Sequence, residues 1–179
     1  MDDMVKAAMK KWPNVPACYG WLGLDAKGDW YMRDDAAQNA GPFGEPDSPK
    51  VAKGARLQHH GLIEFIKRNY QADASGCWYF QNGPQKVYVD LEAAPWVLHF
   101  DHAMQPRTHL GRPFPIDTVW TDERELVYVS HAGELAVVRS QDMALFADCW
   151  EKAQWPLQAT TRSDLEKNFQ FTRHPTPKP

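Results

Sequence analysis

The chain has 179 residues and a formal net charge of −3, from 20 basic and 23 acidic residues. Hydrophobic residues make up 43% and charged residues 24% of the sequence, a balance that is typical of globular proteins and excludes intrinsic disorder. The length suits one domain or two small halves with a shared core, to which eight tryptophans can contribute a large apolar area. No block of basic residues stands out, so a nucleic acid is not expected as a partner.

The cysteines and the apolar runs indicate the compartment. Cys18, Cys77 and Cys149 lie far apart and form no Cys-x-x-Cys pair, so a disulfide framework is not expected. The start of the chain lacks the apolar stretch of a secretory signal, and no run reaches the length of a membrane span. We therefore expect a cytoplasmic protein without a membrane partner.

The N-terminal part is predicted to contain a β-hairpin, a loop and one amphipathic helix. Gly28 can adopt the positive φ of a tight turn, which favours a hairpin within residues 19–32. The prolines and glycines of residues 36–54 favour a mobile loop that is too polar to pack. Residues 57–69 are predicted to form a helix, because an apolar stripe recurs at helical spacing: Leu62, Phe65, Ile66 and Tyr70.

The most informative stretch is residues 77–97. Two alternating, aromatic-rich runs flank Asn82-Gly83, a dipeptide that strongly indicates a β-hairpin. Side chains alternate along a strand, so the second run has two distinct faces. One face is expected to carry Val87, Val89 and Leu91, and the other Tyr88 and Asp90.

The C-terminal part is predicted to consist of short strands followed by a main helix. A strand over residues 96–100 precedes a proline-containing loop, and the later apolar runs are short and separated by turn residues. The predicted elements are strands over 118–121, 126–130 and 134–138, a helix over 141–152 with Ser140 as its N-cap, and a short helix over 163–168.

Two segments of the sequence form a weak internal repeat. Residues 24–32 align with residues 121–129, so that Asp25 meets Asp122 and Tyr31 meets Tyr128. Each segment is an Asp-led turn that leads into a strand. A gene duplication and an independently shared hairpin-plus-helix pattern explain this equally well.

These elements predict an α+β fold of short antiparallel strands, arranged as hairpins, with two main helices packed on them and two structurally similar halves. The expected organisation is an N-terminal lead-in (1–16), a first α+β half (17–100), a loop (101–117), a second α+β half (118–170) and a flexible proline-rich tail (171–179).

A set of residues in the first hairpin and in the strand pair of residues 77–97, together with the helix around residues 62–66, forms a family pattern. These residues are Gly28, Asp29, Trp30, Pro84, Lys86, Val87, Val89, Leu91, Glu92, Ala94, Pro95, Trp96 and Val97. On this pattern, which is strongest in residues 77–97, the chain resembles a bacterial family of unknown function, or an uncharacterised proteobacterial sister family. The resemblance implies two repeated α+β halves and a role in signal transduction. It carries over no catalytic residue, because the family has none established.

One group of residues suggests a metal site. His99 and Asp101 would point to the same face of a strand, while a bend at His102 and a returning loop could add His102 and His109. Zinc needs three or four convergent ligands, and this spacing matches no established metal signature. A metal-dependent enzyme is therefore the alternative interpretation, and no cofactor is expected.

The aromatic residues favour a binding cleft instead. Tyr79, Tyr88 and Trp96 could line an aromatic cleft between the two halves, and Arg112 could anchor an anionic group there. The preferred hypothesis is a non-catalytic regulatory module that binds a small molecule or a protein partner. Its oligomeric state is left open, and a homo-oligomer is compatible with the sequence.

Overall fold

The computed structural model describes residues 1–177. The chain divides into two compact units. The first comprises Met1–Asp25, Asp29–Glu92 and the chain from Phe171 onward, and the second comprises Ala26–Gly28 and Ala93–Gln170. Each unit contains a six-stranded sheet, which confirms the predicted α+β class.

Within residues 1–177, the first unit contains six strands and three α-helices. Its sheet has the order β3-β2-β1-β6-β5-β4, in which β1 and β6 are parallel and the other neighbours are antiparallel. The elements are α1 (Asp3–Lys11), β1 (Cys18–Leu24), β2 (Trp30–Met32), α2 (Asp35–Ala40), a 3-10 turn (Lys50–Lys53), β3 (Ala55–Arg56), α3 (His60–Arg68), β4 (Tyr70–Ala72), β5 (Trp78–Asn82) and β6 (Gln85–Leu91).

Alternation along the strands builds the core of this unit. Val89 and Leu91 of β6 are fully buried, as their apolar face predicts. Helix α3 packs on the sheet through Phe65, whose ring meets that of Phe80 edge-on at 5.4 Å between centroids. The predicted hairpin is also present. Its two-residue turn begins at Gly83, whose φ of 57° has the sign that the first central residue of a type II′ turn requires.

The second unit contains the other six strands and two α-helices. Its sheet has the order β12-β9-β10-β11-β7-β8, with parallel pairs β7/β11 and β9/β12. The elements are β7 (Trp96–Phe100), β8 (Pro106–Thr108), β9 (Thr118–Thr121), β10 (Val127–His131), β11 (Glu134–Val138), a 3-10 turn (Ser140–Asp142), α4 (Met143–Ala153), β12 (Leu157–Ala159) and α5 (Arg162–Asn168). Ser140 begins the 3-10 turn, so it is not the N-cap of the main helix.

The two sheets share a five-strand order. The order β2-β1-β6-β5-β4 in the first unit corresponds to β8-β7-β11-β10-β9 in the second. The parallel pair occupies the same place in both, and each remaining neighbour pair is antiparallel in both. The helices do not follow this correspondence, because α3 precedes β4 whereas α4 follows β11.

The segment predicted as a mobile loop is ordered by contacts. Residues 36–54 contain most of α2 and the 3-10 turn, and the side chains of Phe43 and Ala52 are fully buried. The prediction from polar composition was wrong, because the packing depends on a few apolar side chains, Ala37, Phe43 and Ala52, and on one arginine, Arg33, that lies outside the segment.

The predicted flexible tail also makes contacts over its described part. Phe171 is buried, and Thr172 forms a parallel bridge with Cys77. Residues 178 and 179 of the predicted tail lie outside the described residues. None of the helices within residues 1–177 combines the length and the apolar character needed to cross a membrane.

Candidate functional site

Tyr79 and Tyr88 lie together in the first unit. They face each other across β5 and β6, with ring centroids 5.7 Å apart, and both are largely buried. The Tyr88 hydroxyl donates to Asp73 Oδ2 at 2.9 Å. Burial, and then this contact with Asp73, raise the pKa of Tyr88. The Tyr19 ring stacks on the Tyr88 ring, with 4.5 Å between the centroids. Tyr19 also lines the cavity of about 380 Å³ that is described below.

Trp96 and Arg112 lie together in the second unit. The guanidinium carbon of Arg112 is 4.5 Å from the Trp96 ring centroid, and its Nη2 donates to Glu134 Oε2 at 2.8 Å. Glu134 thus already supplies an anionic partner to the arginine. The four cleft residues therefore form two pairs, one in each unit, and their part in ligand binding stays a prediction.

The residues of the alternative metal site have other partners. The Asp101 carboxylate accepts the N–H groups of Ala103 and Gln105 and pairs with Arg107. The hydrogen bond from Arg107, followed by those from the backbone, lowers the pKa of Asp101 to about 2. His109 Nδ1 accepts the Val97 N–H at 3.2 Å.

The structure does not bring these residues together as ligands. His99 is half-buried and His102 is exposed. Among residues 1–177, no group of three or more His, Cys, Asp or Glu side chains is arranged to hold a metal ion.

A buried ion pair on β6 is the centre of a different cluster. Arg33 Nη1 donates to Asp90 Oδ2 at 2.8 Å, and the two side chains are 4% and 7% exposed. Asp90 lies there because it alternates with Val89 and Leu91, which point into the core. The same guanidinium also donates to three backbone carbonyl groups within residues 34–54, those of Ala37, Gly41 and Ala52.

The chain near its C-terminus adds a histidine to this cluster. His174 Nε2 lies 3.1 Å from Glu45 Oε1, and its Nδ1 lies 3.5 Å from Asp90 Oδ1. Burial opposes protonation, but the hydrogen bonds with Asp90 and Glu45 outweigh it, so the pKa of His174 is raised above its usual value. Arg173 also pairs with Glu45.

A cavity of about 380 Å³ opens beside this cluster. We call it the Asp90 cavity. Its polar wall is formed by Arg33, Asp90 and His174, and its aromatic wall by Tyr19 and Phe43. This combination of few polar groups with aromatic walls is usual in binding sites.

A second cavity, the Trp21 groove, lies in the same unit and is mostly apolar. It has a volume of about 410 Å³ and includes three of the large exposed hydrophobic side chains. Trp21 is 41%, Met32 45% and Val51 60% exposed. The complete lining is Trp21, Met32, Arg33, Asp34, Ala36, Ala37, Val51, Gly54 and Ala55.

Sequence reasoning found only part of these sites. The alternation in β6 did place Tyr88 and Asp90 on one face. Glu45 and His174 were missed because they lie in a segment predicted as a loop and a segment predicted as a tail, and Arg33 was missed because it lies between the predicted hairpin and that loop. A pairing between residues that far apart in sequence has no local pattern that could have indicated it.

Two solved structures of DUF1285 family proteins are similar to the chain. The protein from Silicibacter pomeroyi DSS-3 is 15% identical with a TM-score of 0.47, over 75% of this chain and 72% of that chain. The protein from Shewanella baltica OS155 is 16% identical with a TM-score of 0.39, over 72% of this chain and 91% of that chain. Likenesses at this level carry no argument about function, and no curated protein matches the chain.

The family itself is shown by a family model named DUF2944, which matches residues 1–176. The printed description of this model is "Protein of unknown function (DUF2946)". This match confirms the predicted resemblance to a family of unknown function. With nearly the whole chain covered, the protein belongs to this family, DUF2944.

Proposed function

We propose that the protein is a non-catalytic binding module that holds an extended segment of a partner protein in the Trp21 groove. The observation that carries the proposal is the convergence of Trp21, Met32 and Val51 on one cavity. Contiguous exposed apolar patches mark interaction sites, and Trp and Met are enriched in protein interfaces. The regulatory role in signal transduction that the family resemblance suggests would be exerted through this contact.

The adjacent sheet edge supports an extended conformation of the partner. Gly54 and Ala55 line the groove, and Ala55 belongs to β3, the terminal strand of its sheet. Gly54 has φ +76° and packs on the β2 backbone, where a Cβ would lie 2.2 Å from the Met32 carbonyl oxygen. A partner segment can therefore add to the edge at β3 while its side chains enter the groove, as in other cases of strand addition.

The charge at the rim favours a basic residue in the partner. Arg33 is buried and paired with Asp90, so Asp34 is the exposed charged residue in the lining. We expect the partner segment to combine a bulky apolar side chain with a neighbouring Lys or Arg.

Selection from a displayed library of random peptides of about 12 residues tests the proposal. Selected peptides should be apolar and basic, and in NMR spectra they should shift the Trp21 indole N–H and the amides of residues 54–56. Val51→Asp places a charge in the groove and should weaken binding at least about tenfold. Met4→Asp is the matched control, because Met4 is 76% exposed on α1, outside the groove, and should leave binding unchanged.

Two outcomes would overturn the proposal. One is a selection without binders. The other is a set of peptides whose affinity is the same for wild type and for Val51→Asp, or whose shifts fall outside the groove. Binding of small apolar molecules alone, without any peptide, would point to a small-molecule site and also count against it.

A further inference from the structure

The segment from Phe171 to Pro177 lies against the first unit, with a β-bridge at Thr172 and bends at Arg173 and His174. The Thr172 N–H donates to the Gly76 carbonyl at 3.1 Å, and the Leu91 N–H donates to the Arg173 carbonyl at 2.8 Å. Phe171 is 5% exposed and fixes the start of the segment. The contact thus begins with backbone hydrogen bonds to Gly76 and to Leu91 at the end of β6.

Beyond these backbone hydrogen bonds, oppositely charged side chains of the segment and of the first unit also contact each other. Arg173 pairs with Glu45, and His174 lies between Glu45 and Asp90 at 3.1 and 3.5 Å. Two basic residues of the segment therefore meet two acidic residues of the unit. Arg33 supplies a permanent positive charge 2.8 Å from the buried Asp90 side chain.

The two prolines that follow line the same cavity as the aromatic side chains. Pro175 is buried, and Pro175, Thr176 and Pro177 line the Asp90 cavity together with Tyr19 and Phe43. Proline fixes φ, so a segment of this kind loses little entropy when it docks on aromatic side chains. A cavity of about 380 Å³ remains beside the segment, so the segment does not fill this surface.

We infer that this face of the first unit is a recognition surface for basic, proline-containing peptide segments, and that residues 173–177 are its intramolecular occupant. The surface is separate from the Trp21 groove, although Arg33 lines both. A segment of the same chemistry on another protein, or on a second copy, has to compete with the tethered one. Tethering gives the occupant a high effective concentration, about millimolar for short linkers.

Protonation of His174 changes how tightly residues 173–177 bind to this surface. The groups that face His174 are Glu45, Asp90 and Arg173, and Arg33 stands behind Asp90. Protonated His174 is attracted by two carboxylates, whereas the neutral ring is not. The intramolecular contact is therefore tighter at acidic pH and looser at alkaline pH.

The test uses the full chain and a fluorescein-labelled peptide with the sequence of residues 170–177, followed by fluorescence anisotropy. The double variant Arg173→Glu/His174→Glu repels its own segment from the two carboxylates and exposes the surface. It should bind the peptide at least about tenfold more tightly than wild type. The matched control is Lys10→Glu/Lys11→Glu, which changes the charge by a similar amount on α1 and should bind like wild type.

Two further arms identify the surface. Adding Glu45→Gln to the double variant should abolish the gain in affinity, and a peptide with Glu in place of Arg173 and His174 should not bind. In wild type, an excess of unlabelled peptide should shift the His174 imidazole resonances, a measurement that does not depend on any variant. Equal affinity of wild type and double variant, no effect of Glu45→Gln, or unchanged His174 resonances would overturn the inference.

Discussion

Arg33 gives residues 34–54 a defined path along the first sheet. Its guanidinium donates to Asp90 and to the carbonyls of Ala37, Gly41 and Ala52, which are spread over the whole segment. A planar group with five donors suits this task better than a lysine would. Removing it would leave the Asp90 carboxylate buried without its cationic partner, which is a costly arrangement in a protein interior.

For a single residue, the sequence predicts which face of a strand the side chain occupies better than it predicts which side chain it contacts. Alternation places Tyr88 and Asp90 on one side of β6, and the burial of Val89 and Leu91 confirms it. The partner of Asp90 could not be predicted, because Arg33 recognises mainly backbone carbonyls, which every residue has. Amino-acid composition therefore does not indicate which loops are held by hydrogen bonds of this kind.

His174 should make the stability of the first unit depend on pH. Its pKa in the folded protein is raised above 6.5, because Asp90 and Glu45 favour the charged ring more than burial opposes it. A raised pKa means that the stabilisation is fully present below about pH 6.5 and is lost as the pH rises through the folded pKa. The free energy of unfolding of wild type should therefore fall over this interval.

NMR titration of the imidazole resonances between about pH 5 and pH 9 measures this pKa, and urea unfolding over the same range measures the stability. His174→Gln should remove the decrease. His102→Gln is the control, because His102 is exposed, and it should leave the decrease in place. A His174 that titrates at or below pH 6.5 would contradict the prediction.

Four hairpins of the molecule share one Asp-led turn. In each, the aspartate N–H donates to the carbonyl four residues on, and its Oδ1 accepts the N–H of that same residue. Its Oδ2 then receives a side-chain donor. The four aspartates and these donors are Asp25 with Tyr31, Asp73 with Tyr88, Asp101 with Arg107, and Asp122 with Tyr128.

The strand order changes which turns correspond. Sequence comparison aligns Asp25 with Asp122, and both do form this turn. In the shared five-strand order, however, the β1–β2 turn corresponds to the β7–β8 turn, so Asp25 matches Asp101 and Asp73 matches Asp122. The sequence could detect the turn, since its spacing is local. It could not detect the correspondence, which depends on pairing between distant strands.

The turn at Asp122 should contribute strongly to stability because it is buried. Asp122 is 6% exposed, and its carboxylate accepts from the Leu126 and Arg124 N–H groups and from the Tyr128 hydroxyl at 2.8 to 2.9 Å. Asp122→Ala leaves these donors without an acceptor and should lower the free energy of unfolding by about 3 kcal/mol.

Urea unfolding checks this value against Asp148→Ala, which removes an exposed carboxylate on α4 and should stay within about 0.5 kcal/mol of wild type. Asp122→Asn keeps one acceptor oxygen and should fall between the two. Equal stability of Asp122→Ala and Asp148→Ala would show that the turn carries no such energy.

For the whole molecule, parallel pairing decides the division into units. Strand β7 was expected to end the first half, yet it pairs in parallel with β11 of the second unit. The structure therefore places the boundary between Glu92 and Ala93, and it returns the chain from Phe171 onward to the first unit. Parallel partners are joined by long connections, so no turn residue between them marks the pairing in the sequence.

Because the two sheets lie in different compact units, a cavity in one sheet should loosen mainly that sheet. Val137 of β11 and Val89 of β6 are both fully buried next to the parallel partner strand. Truncating either to alanine removes apolar contacts worth about 2 kcal/mol. In hydrogen exchange followed by mass spectrometry, Val137→Ala should speed exchange in β7–β12, and Val89→Ala should speed it in β1–β6. Each variant is the control for the other, since the residue type and the burial are the same. If both variants sped exchange equally in both sheets, the chain would unfold as one cooperative unit in spite of its division into two compact units.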